Sequence, residues 1–293
     1  MRALFLVVVG AALALPAEAR VRKKRKPAAA VRSVPPRAED DPRKRGSNPA
    51  FRRASIAFAA PADLSQITEG PVPVRLVVKR YALGALKPFG PTPHAHLIVD
   101  NEPALEIADA KASWTLTGLP PGPHLLRAVL CRPWHEVVKA PKAFALVRFW
   151  VGPRIWGKAG KAAESVIWPQ PRRPLLTYVL PIGGPAENLE LVREETGGDP
   201  TQSAPSEASQ SSPGANRPVL DFYFSNGKLG RRGDKVRIVL DRRELPLITD
   251  WKPHPLRRAH KGTRRITIDL LNRKGLKVNN AVNRTDRVFT VPG

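Results

Sequence analysis

The sequence contains almost no sulfur: Cys131 is its only cysteine and Met1 its only methionine among 293 residues. A single cysteine excludes an intrachain disulfide framework and a zinc site built from several cysteines. The sequence also has no Gly-x-Ser-x-Gly elbow and no glycine-rich phosphate-binding motif, and no catalytic signature surrounds its cysteine. We therefore expect a protein that is not an enzyme, with no catalytic residue and no cofactor.

Acidic residues are few, and prolines are many. Asp and Glu number 25 against 49 Lys and Arg, so the formal net charge is +24, and there are 32 prolines. Proline breaks helix interiors, and its abundance excludes a helical bundle or a long coiled coil. The hydrophobic content of 42% is nevertheless enough to build packed cores, so general disorder is excluded too.

The N-terminus has the pattern of a signal peptide. A positive Met1-Arg2 precedes an apolar run over residues 3–15, and Pro16 then leads into the small-x-small site Ala17-Glu18-Ala19. This run is shorter than the ~20 residues needed to cross a bilayer. The sequence predicts a cleaved signal peptide over residues 1–19, a mature chain without a transmembrane segment, and export to the periplasm or the medium.

A strongly basic arm follows over residues 20–53. It carries thirteen Lys or Arg against three acidic residues, with several prolines and no periodic apolar face. Such a segment is predicted to be disordered and to attract polyanions. For an exported protein these are anionic envelope polymers or polysaccharide, and physiological nucleic acid is not expected. A solvated tail without a dedicated partner is the alternative.

The rest of the chain predicts an all-β fold of two tandem immunoglobulin-like antiparallel β-sandwiches. Short β-branched and aromatic runs alternate with Pro/Gly/Asn turns over residues 54–152 and 173–292. Residues 153–172 are predicted to connect the two domains, and a Ser/Pro-rich stretch is predicted to make 185–216 a flexible insertion. Leu175–Leu180 is interpreted as the first strand of domain 2, although the last strand of domain 1 is an alternative.

The two β-rich blocks follow one plan. In each, a strand ends in Asp, a tryptophan follows, and a glycine-bearing turn then precedes an amphipathic strand; the paired residues are Asp100 and Asp241, Trp114 and Trp251, Gly122 and Gly262. Asp and Gly suit tight turns, and buried tryptophans fill the space between sheets. An internal repeat of one sandwich module explains this pattern.

Three stretches carry a resemblance: residues 118–124 (Gly-Leu-Pro-Pro-Gly-Pro-His), 132–136 (Arg-Pro-Trp-His-Glu) and 220–226 (Leu-Asp-Phe-Tyr-Phe-Ser-Asn). In these the chain resembles uncharacterised exported bacterial proteins with tandem immunoglobulin-like domains. The resemblance covers both β-rich blocks between residues 72 and 291 and leaves out the basic arm and the Ser/Pro-rich insertion. It implies the fold and the export but no functional residue.

Four of the six histidines lie in the first block, and they are the candidate metal ligands: His94, His96, His124 and His135. His94 and His96 share one face of a strand because side chains alternate with period two. Imidazole nitrogens bind Zn²⁺ or Cu²⁺, and Asp100 or Glu136 could also complete a site. The alternative is that these histidines lie at a strand entrance and beside turns and bind no metal.

Arginine pairs recur at turns of the second block and form a candidate face for anionic ligands: Arg242, Arg243, Arg257, Arg258, Arg264 and Arg265. Guanidinium groups bind the phosphates or carboxylates of a polysaccharide well. The leading hypothesis is a non-catalytic, envelope-associated binding or structural protein. The alternative is a metal-binding protein centred on the first-block histidines.

Overall fold

The structure is a computed structural model, and it describes residues 51–68, 70–84, 92–186, 188–194 and 218–292. The predicted signal peptide, nearly all of the predicted basic arm, and residues 187 and 195–216 of the predicted insertion lie outside this range. Among the described residues, no helix has both the length and the apolar character needed to cross a membrane.

The first sandwich is formed by eight strands from the first block: β1 Ser55–Ala60, β2 Ser65–Ile67, β3 Val72–Lys79, β4 His94–Val99, β5 Leu105–Ile107, β6 Trp114–Thr117, β7 Gly122–Cys131 and β8 Phe144–Val151. One sheet has the order β2-β8-β7-β4-β5, and the other contains β1-β3-β6. All pairings are antiparallel except that of β2 with β8.

A short helix, α1 (Gly157–Ile167), lies within the predicted connector 153–172. The second sandwich follows, with the strands β9 Leu175–Leu180, β11 Val219–Ser225, β12 Lys235–Leu240, β13 Arg243–Glu244, β14 His254–Pro255, β15 Gly262–Leu271 and β16 Arg284–Val291. Its sheets have the orders β14-β11-β9 and β13-β12-β15-β16.

This architecture confirms the predicted all-β fold of two tandem immunoglobulin-like antiparallel β-sandwiches. The residue pattern explains it, because alternate side chains of a strand face opposite sides. In β3, Val72, Val74 and Leu76 are buried and the residues between them are exposed. β12 buries every second residue in the same way.

The two sandwiches repeat the same strand plan. Strands β1 and β3–β8 correspond in order and pairing to β9 and β11–β16. The hairpins after β7 and β15 also match, since Arg132 N–H donates to Glu136 O just as Asn272 N–H donates to Leu276 O. The predicted tryptophan equivalence is looser: Trp114 begins β6, whereas Trp251 precedes β14.

The sheet formed by β9 and β11 is buried on both faces. Leu176 and Phe222 pack in the core of the second sandwich, whereas Val179 and Tyr223 pack in the core of the first. Leu175–Leu180 therefore pairs within the second sandwich and still contributes to the first core. This dual role explains why the sequence allowed both assignments of this strand.

Strand β10 (Glu190–Arg193) lies inside the stretch predicted as a flexible insertion. It pairs antiparallel with β6 and completes the sheet order β1-β3-β6-β10. Four residues give too short an alternation to identify a strand from sequence, and the hydrogen-bond partners of β10 come from the distant edge of the first sandwich.

Candidate metal centre

Three elements of the first sandwich bring four potential ligands together. β4 carries His94 and His96, and the register of β4 with β5 places Glu106 directly opposite His96. The hairpin between β7 and β8 supplies His135. One ligand atom from each of the four side chains lies within 4.8 Å of the others. We call this set the histidine cluster.

Three distances in the histidine cluster are close to those between ligands of one small cation. His96 Nε2 lies 3.0 Å from His94 Nε2 and 3.1 Å from His135 Nδ1. His135 Nδ1 lies 3.3 Å from Glu106 Oε1. Tetrahedral ligands bound to Zn²⁺ at about 2.0–2.1 Å are about 3.3 Å apart. With all four atoms within 4.8 Å of one another, the side chains are close enough for four-coordinate binding.

His94 is held in the tautomer that binds metal, and the pKa values of the other two rings are low. His94 Nδ1 lies 2.8 Å from Thr92 O, and because a carbonyl can only accept, Nδ1 carries the proton and Nε2 keeps its lone pair. Burial, and then the neighbouring histidines, keep the pKa of His96 well below its usual value. Burial and then His94 lower the pKa of His135 to about 3. The rings are neutral at neutral pH.

Two atoms of the histidine cluster are buried without a hydrogen-bond partner among the described residues, His96 Nδ1 and Glu106 Oε1. Leaving such an atom unsatisfied costs about 1–3 kcal/mol, more for a charged group. A cation bound among the four side chains would neutralise the Glu106 carboxylate. The His135 and Glu106 side chains keep exposed fractions of 13% and 26%, which gives a metal ion a route from solvent.

The structure does not place His124 in the histidine cluster. It lies near the opposite end of β7 from Cys131, the residue paired with His94. Its Nδ1 lies 2.9 Å from Asp100 Oδ2 and its Nε2 lies 2.8 Å from Pro120 O. Both nitrogens therefore donate to oxygen atoms, and no lone pair is left for a metal. Burial opposes the charged ring, but the hydrogen bond and the charge of Asp100 outweigh it and raise the pKa of His124.

The carboxylates considered from sequence are also engaged elsewhere. Asp100 holds His124 and accepts a hydrogen bond from Leu125 N–H. Glu136 Oε2 accepts a hydrogen bond from Trp134 Nε1, and burial raises the pKa of Glu136. Sequence reasoning missed Glu106, the carboxylate that does join the cluster. The available signal was a lone acid between the apolar residues Leu105 and Ile107, one hairpin after the His-x-His strand.

The second sandwich has the same framework without these ligands. By strand register, the positions of His94 and His96 are taken there by Lys235 and Arg237. Pro246 and Leu247 stand where the first sandwich has Glu106. At the hairpin position of His135 the second sandwich has Gly275. Both residues have positive φ, 62° for His135 and 78° for Gly275. The fold alone therefore does not require a histidine at this strained position.

The six predicted arginines lie at one end of the second sandwich, where β12 ends and β13 and β15 begin. We call this the arginine end. Arg264 binds the carbonyls of His260 and Lys261, and Arg265 pairs with Asp286. The other four are exposed, and their side chains make no ion pair or hydrogen bond with the described residues: Arg242, Arg243, Arg257 and Arg258.

Other basic turn residues lie at the opposite end. A surface cleft between the loop after β11 and the hairpin after β15 is lined by Lys228, Arg232, Arg273 and Lys274, with Asp234 among them. The strand order therefore divides the basic turns of the second sandwich into two groups that face opposite directions.

No family model matches the chain, and no curated protein matches it. Among solved structures it is similar to the fibronectin(III)-like modules of Clostridium thermocellum CbhA, with 9% identity, coverage of 81% of this chain and 94% of that chain, and a TM-score of 0.24. It is also similar to the Bacteroides ovatus mixed-linkage glucan utilization locus protein SGBP-B, in complex with a mixed-linkage heptasaccharide. That match has 13% identity, covers 80% of this chain and 70% of that chain, and has a TM-score of 0.21.

Proposed function

We propose that this protein binds one divalent transition-metal ion at the histidine cluster, through His94, His96, His135 and Glu106. The observation that carries the proposal is the convergence of three neutral imidazole nitrogens and one carboxylate oxygen within 4.8 Å of one another, with three of the separations at 3.0–3.3 Å. The second sandwich supports it, because the same backbone there holds none of the four ligands.

The donor set indicates the metal and its role. Three nitrogens and one oxygen suit Zn²⁺, and Cu²⁺ is the main competitor for imidazole ligands. Four protein ligands close a tetrahedral site, as in structural zinc sites, whereas catalytic sites keep a position for water. The metal would therefore stabilise or regulate an exported β-sandwich protein rather than activate a substrate.

The test is a zinc titration of the purified chain, starting at residue 20, in competition with a chromophoric chelator. We expect one Zn²⁺ per chain and a loss of at least about tenfold in affinity for Glu106→Gln and for His135→Asn. His260→Asn is the matched control, because His260 is exposed and lies outside the histidine cluster. Substoichiometric zinc, or ligand variants that bind like the control, would rule the site out.

A second candidate function is the binding of an anionic polysaccharide or other anionic envelope polymer at the arginine end. Its support is the presence of four exposed arginines without partners among the described residues. Residues 218–292 carry eighteen Lys or Arg against seven Asp or Glu, so the surrounding field also favours anions. The basic arm would add an unspecific electrostatic contribution.

This candidate is tested by retention on a sulfated polysaccharide column and on isolated envelope. Changing Arg242, Arg243, Arg257 and Arg258 to Gln should lower the salt concentration needed for elution. The matched control changes Lys228, Arg232, Arg273 and Lys274 to Gln, which removes the same charge at the opposite end. If both variants elute at equally lowered salt, retention depends on net charge alone and not on the arginine end. A chain starting at Ala54 measures how much of the retention comes from the basic arm.

A further inference from the structure

We infer that metal binding at the histidine cluster and packing of the second sandwich against the first strengthen each other, because one hairpin takes part in both. This inference rests on the proposed metal site. The hairpin comprises residues 132–140, which follow β7 and precede β8. One of its residues belongs to the histidine cluster, and the residues just after it contact β11 of the second sandwich.

On the metal side, the hairpin supplies His135, and backbone hydrogen bonds tie His135 to the rest of the turn. Arg132 N–H donates to Glu136 O over 2.8 Å, and His135 N–H donates to Arg132 O over 2.9 Å. Cys131 and Val137 form an antiparallel bridge across the base of the hairpin. A metal held by His135 and by β4 would therefore fix the whole turn and not the imidazole alone.

On the other side, the hairpin contacts β11 through buried polar groups. Val137 N–H donates to Asp221 Oδ2 over 2.8 Å, and Lys139 forms an ion pair with the same carboxylate. The Asp221 and Lys139 side chains are 0% and 2% exposed. Tyr223 Oη–H donates to Ala140 O over 2.7 Å. These contacts begin two residues after His135.

The coupling follows from this proximity. Asp221 can bind Val137 N–H and Lys139 together only when the hairpin is ordered, and a bound metal orders it in advance. Once metal binding or the contacts with β11 have ordered the hairpin, the other interaction forms at a lower cost in conformational entropy. By linkage, the factor by which metal strengthens the contacts between the hairpin and β11 equals the factor by which those contacts strengthen metal binding. A β11 variant that removes the contacts should therefore weaken metal binding.

The experiment measures zinc affinity for variants of β11, none of which removes a ligand. Asp221→Asn keeps an acceptor for Val137 N–H but loses the charge that pairs with Lys139. We expect it to weaken zinc binding by about tenfold, within the range of ordinary coupling. Tyr223→Phe keeps the buried ring and is the milder variant if Asp221→Asn does not fold; about threefold is expected there.

The matched control is Asp269→Asn. Asp269 is also a buried acid of the second sandwich, but its partners Arg237 and Arg284 lie within that sandwich. Zinc affinity should stay within about twofold of the wild type. Amide hydrogen exchange of the full chain provides a second readout, and zinc should slow exchange in residues 132–140 and also in 219–225.

The outcomes separate the two proposals. If the wild-type chain binds no zinc, the metal site itself is wrong. If it binds zinc, but both β11 variants bind like Asp269→Asn and zinc protects residues 132–140 alone, the site stands and the coupling is wrong. Weakened binding in the β11 variants, with protection extending to residues 219–225, supports both.

Discussion

Asp100 and Asp241 occupy the same turn in the two sandwiches and make the same backbone contacts. Their φ angles are 50° and 47°. Each donates its own N–H to a carbonyl of the neighbouring strand, β7 or β15, and its side chain accepts a hydrogen bond from the N–H of the same residue. Asp100 Oδ1 lies 2.8 Å from Leu125 N, and Asp241 Oδ1 lies 2.9 Å from Arg265 N. The internal repeat therefore extends to individual hydrogen bonds.

The two aspartates differ in their side-chain partner, which gives a pH-dependent prediction. Asp100 pairs with His124, whereas Asp241 lies beside Arg264 in the equivalent place. The pKa of His124 is raised in the fold, so this pair contributes fully below the unfolded value of about 6.5 and is lost as pH rises through the raised value. Asp100→Asn should thus cost on the order of 1 kcal/mol more at pH 5.5 than at pH 8.5.

Urea unfolding at the two pH values measures this difference. Asp241→Asn is the control, since arginine does not titrate in this range and its cost should be the same at both pH values. A cost of Asp100→Asn that is independent of pH would contradict the charged state of His124.

The strained backbone at His135 predicts opposite effects on stability and on metal binding. A non-glycine residue at φ 62° costs about 1–2 kcal/mol, and the equivalent position in the second sandwich is Gly275. In the presence of a chelator, His135→Gly should therefore raise the free energy of unfolding by about 0.5–1 kcal/mol. The same variant should lose zinc affinity. A metal-free chain that is destabilised by this change would show that His135 contributes to packing instead.

The backbone of Gly118 lies very close to the segment that precedes β10, so we expect a side chain at this position to displace β10. A Cβ added to Gly118 would lie 1.7 Å from Asn188 O, just before β10. Gly118→Ala should push this segment away, speed amide exchange over Glu190–Arg193 and cost about 1–3 kcal/mol. Gly184→Ala is the control, because nothing lies within 4 Å of its added Cβ. Unchanged exchange over β10 would be the contrary result.

The thiol of Cys131 is predicted to be unreactive in the folded protein. It is fully buried, its Sγ donates weakly to Val129 O, and burial raises the pKa of the thiol well above its usual value. A thiol reagent should leave the native chain unlabelled and should label it once in denaturant. Rapid labelling under native conditions would point to an opening of β7 that the packing does not suggest.

Local sequence information predicted the features that depend on one strand or one turn. The His-x-His spacing on β4 places two rings on one face whatever the strand pairs with, and the turn chemistry of Asp100 and Asp241 indicated the repeat. The alternation of buried residues indicated the sandwich class in the same way. The strand signals each span fewer than ten residues, and the repeat was indicated by the same order of turn residues and tryptophan in both blocks.

Contacts that depend on the register between strands could not be predicted from the sequence. Glu106 faces His96 because β5 pairs with β4, and β5 is only three residues long. His124 was grouped with the other histidines from its position in the chain, but the pairing of β7 places it at the other end of the sheet, beside Asp100. The arginine turns likewise separate into two ends only once the strand order is known.

The sheet formed by β9 and β11 has a consequence for how the chain unfolds. Because neighbouring residues such as Phe222 and Tyr223 belong to different cores, melting this sheet removes one wall from both sandwiches at once. Neither half can then be a separate cooperative unit, so thermal or urea unfolding should follow a single transition over both sandwiches. A chain cut between them would expose the apolar wall of its remaining half, and the smallest autonomously folding fragment is therefore the pair.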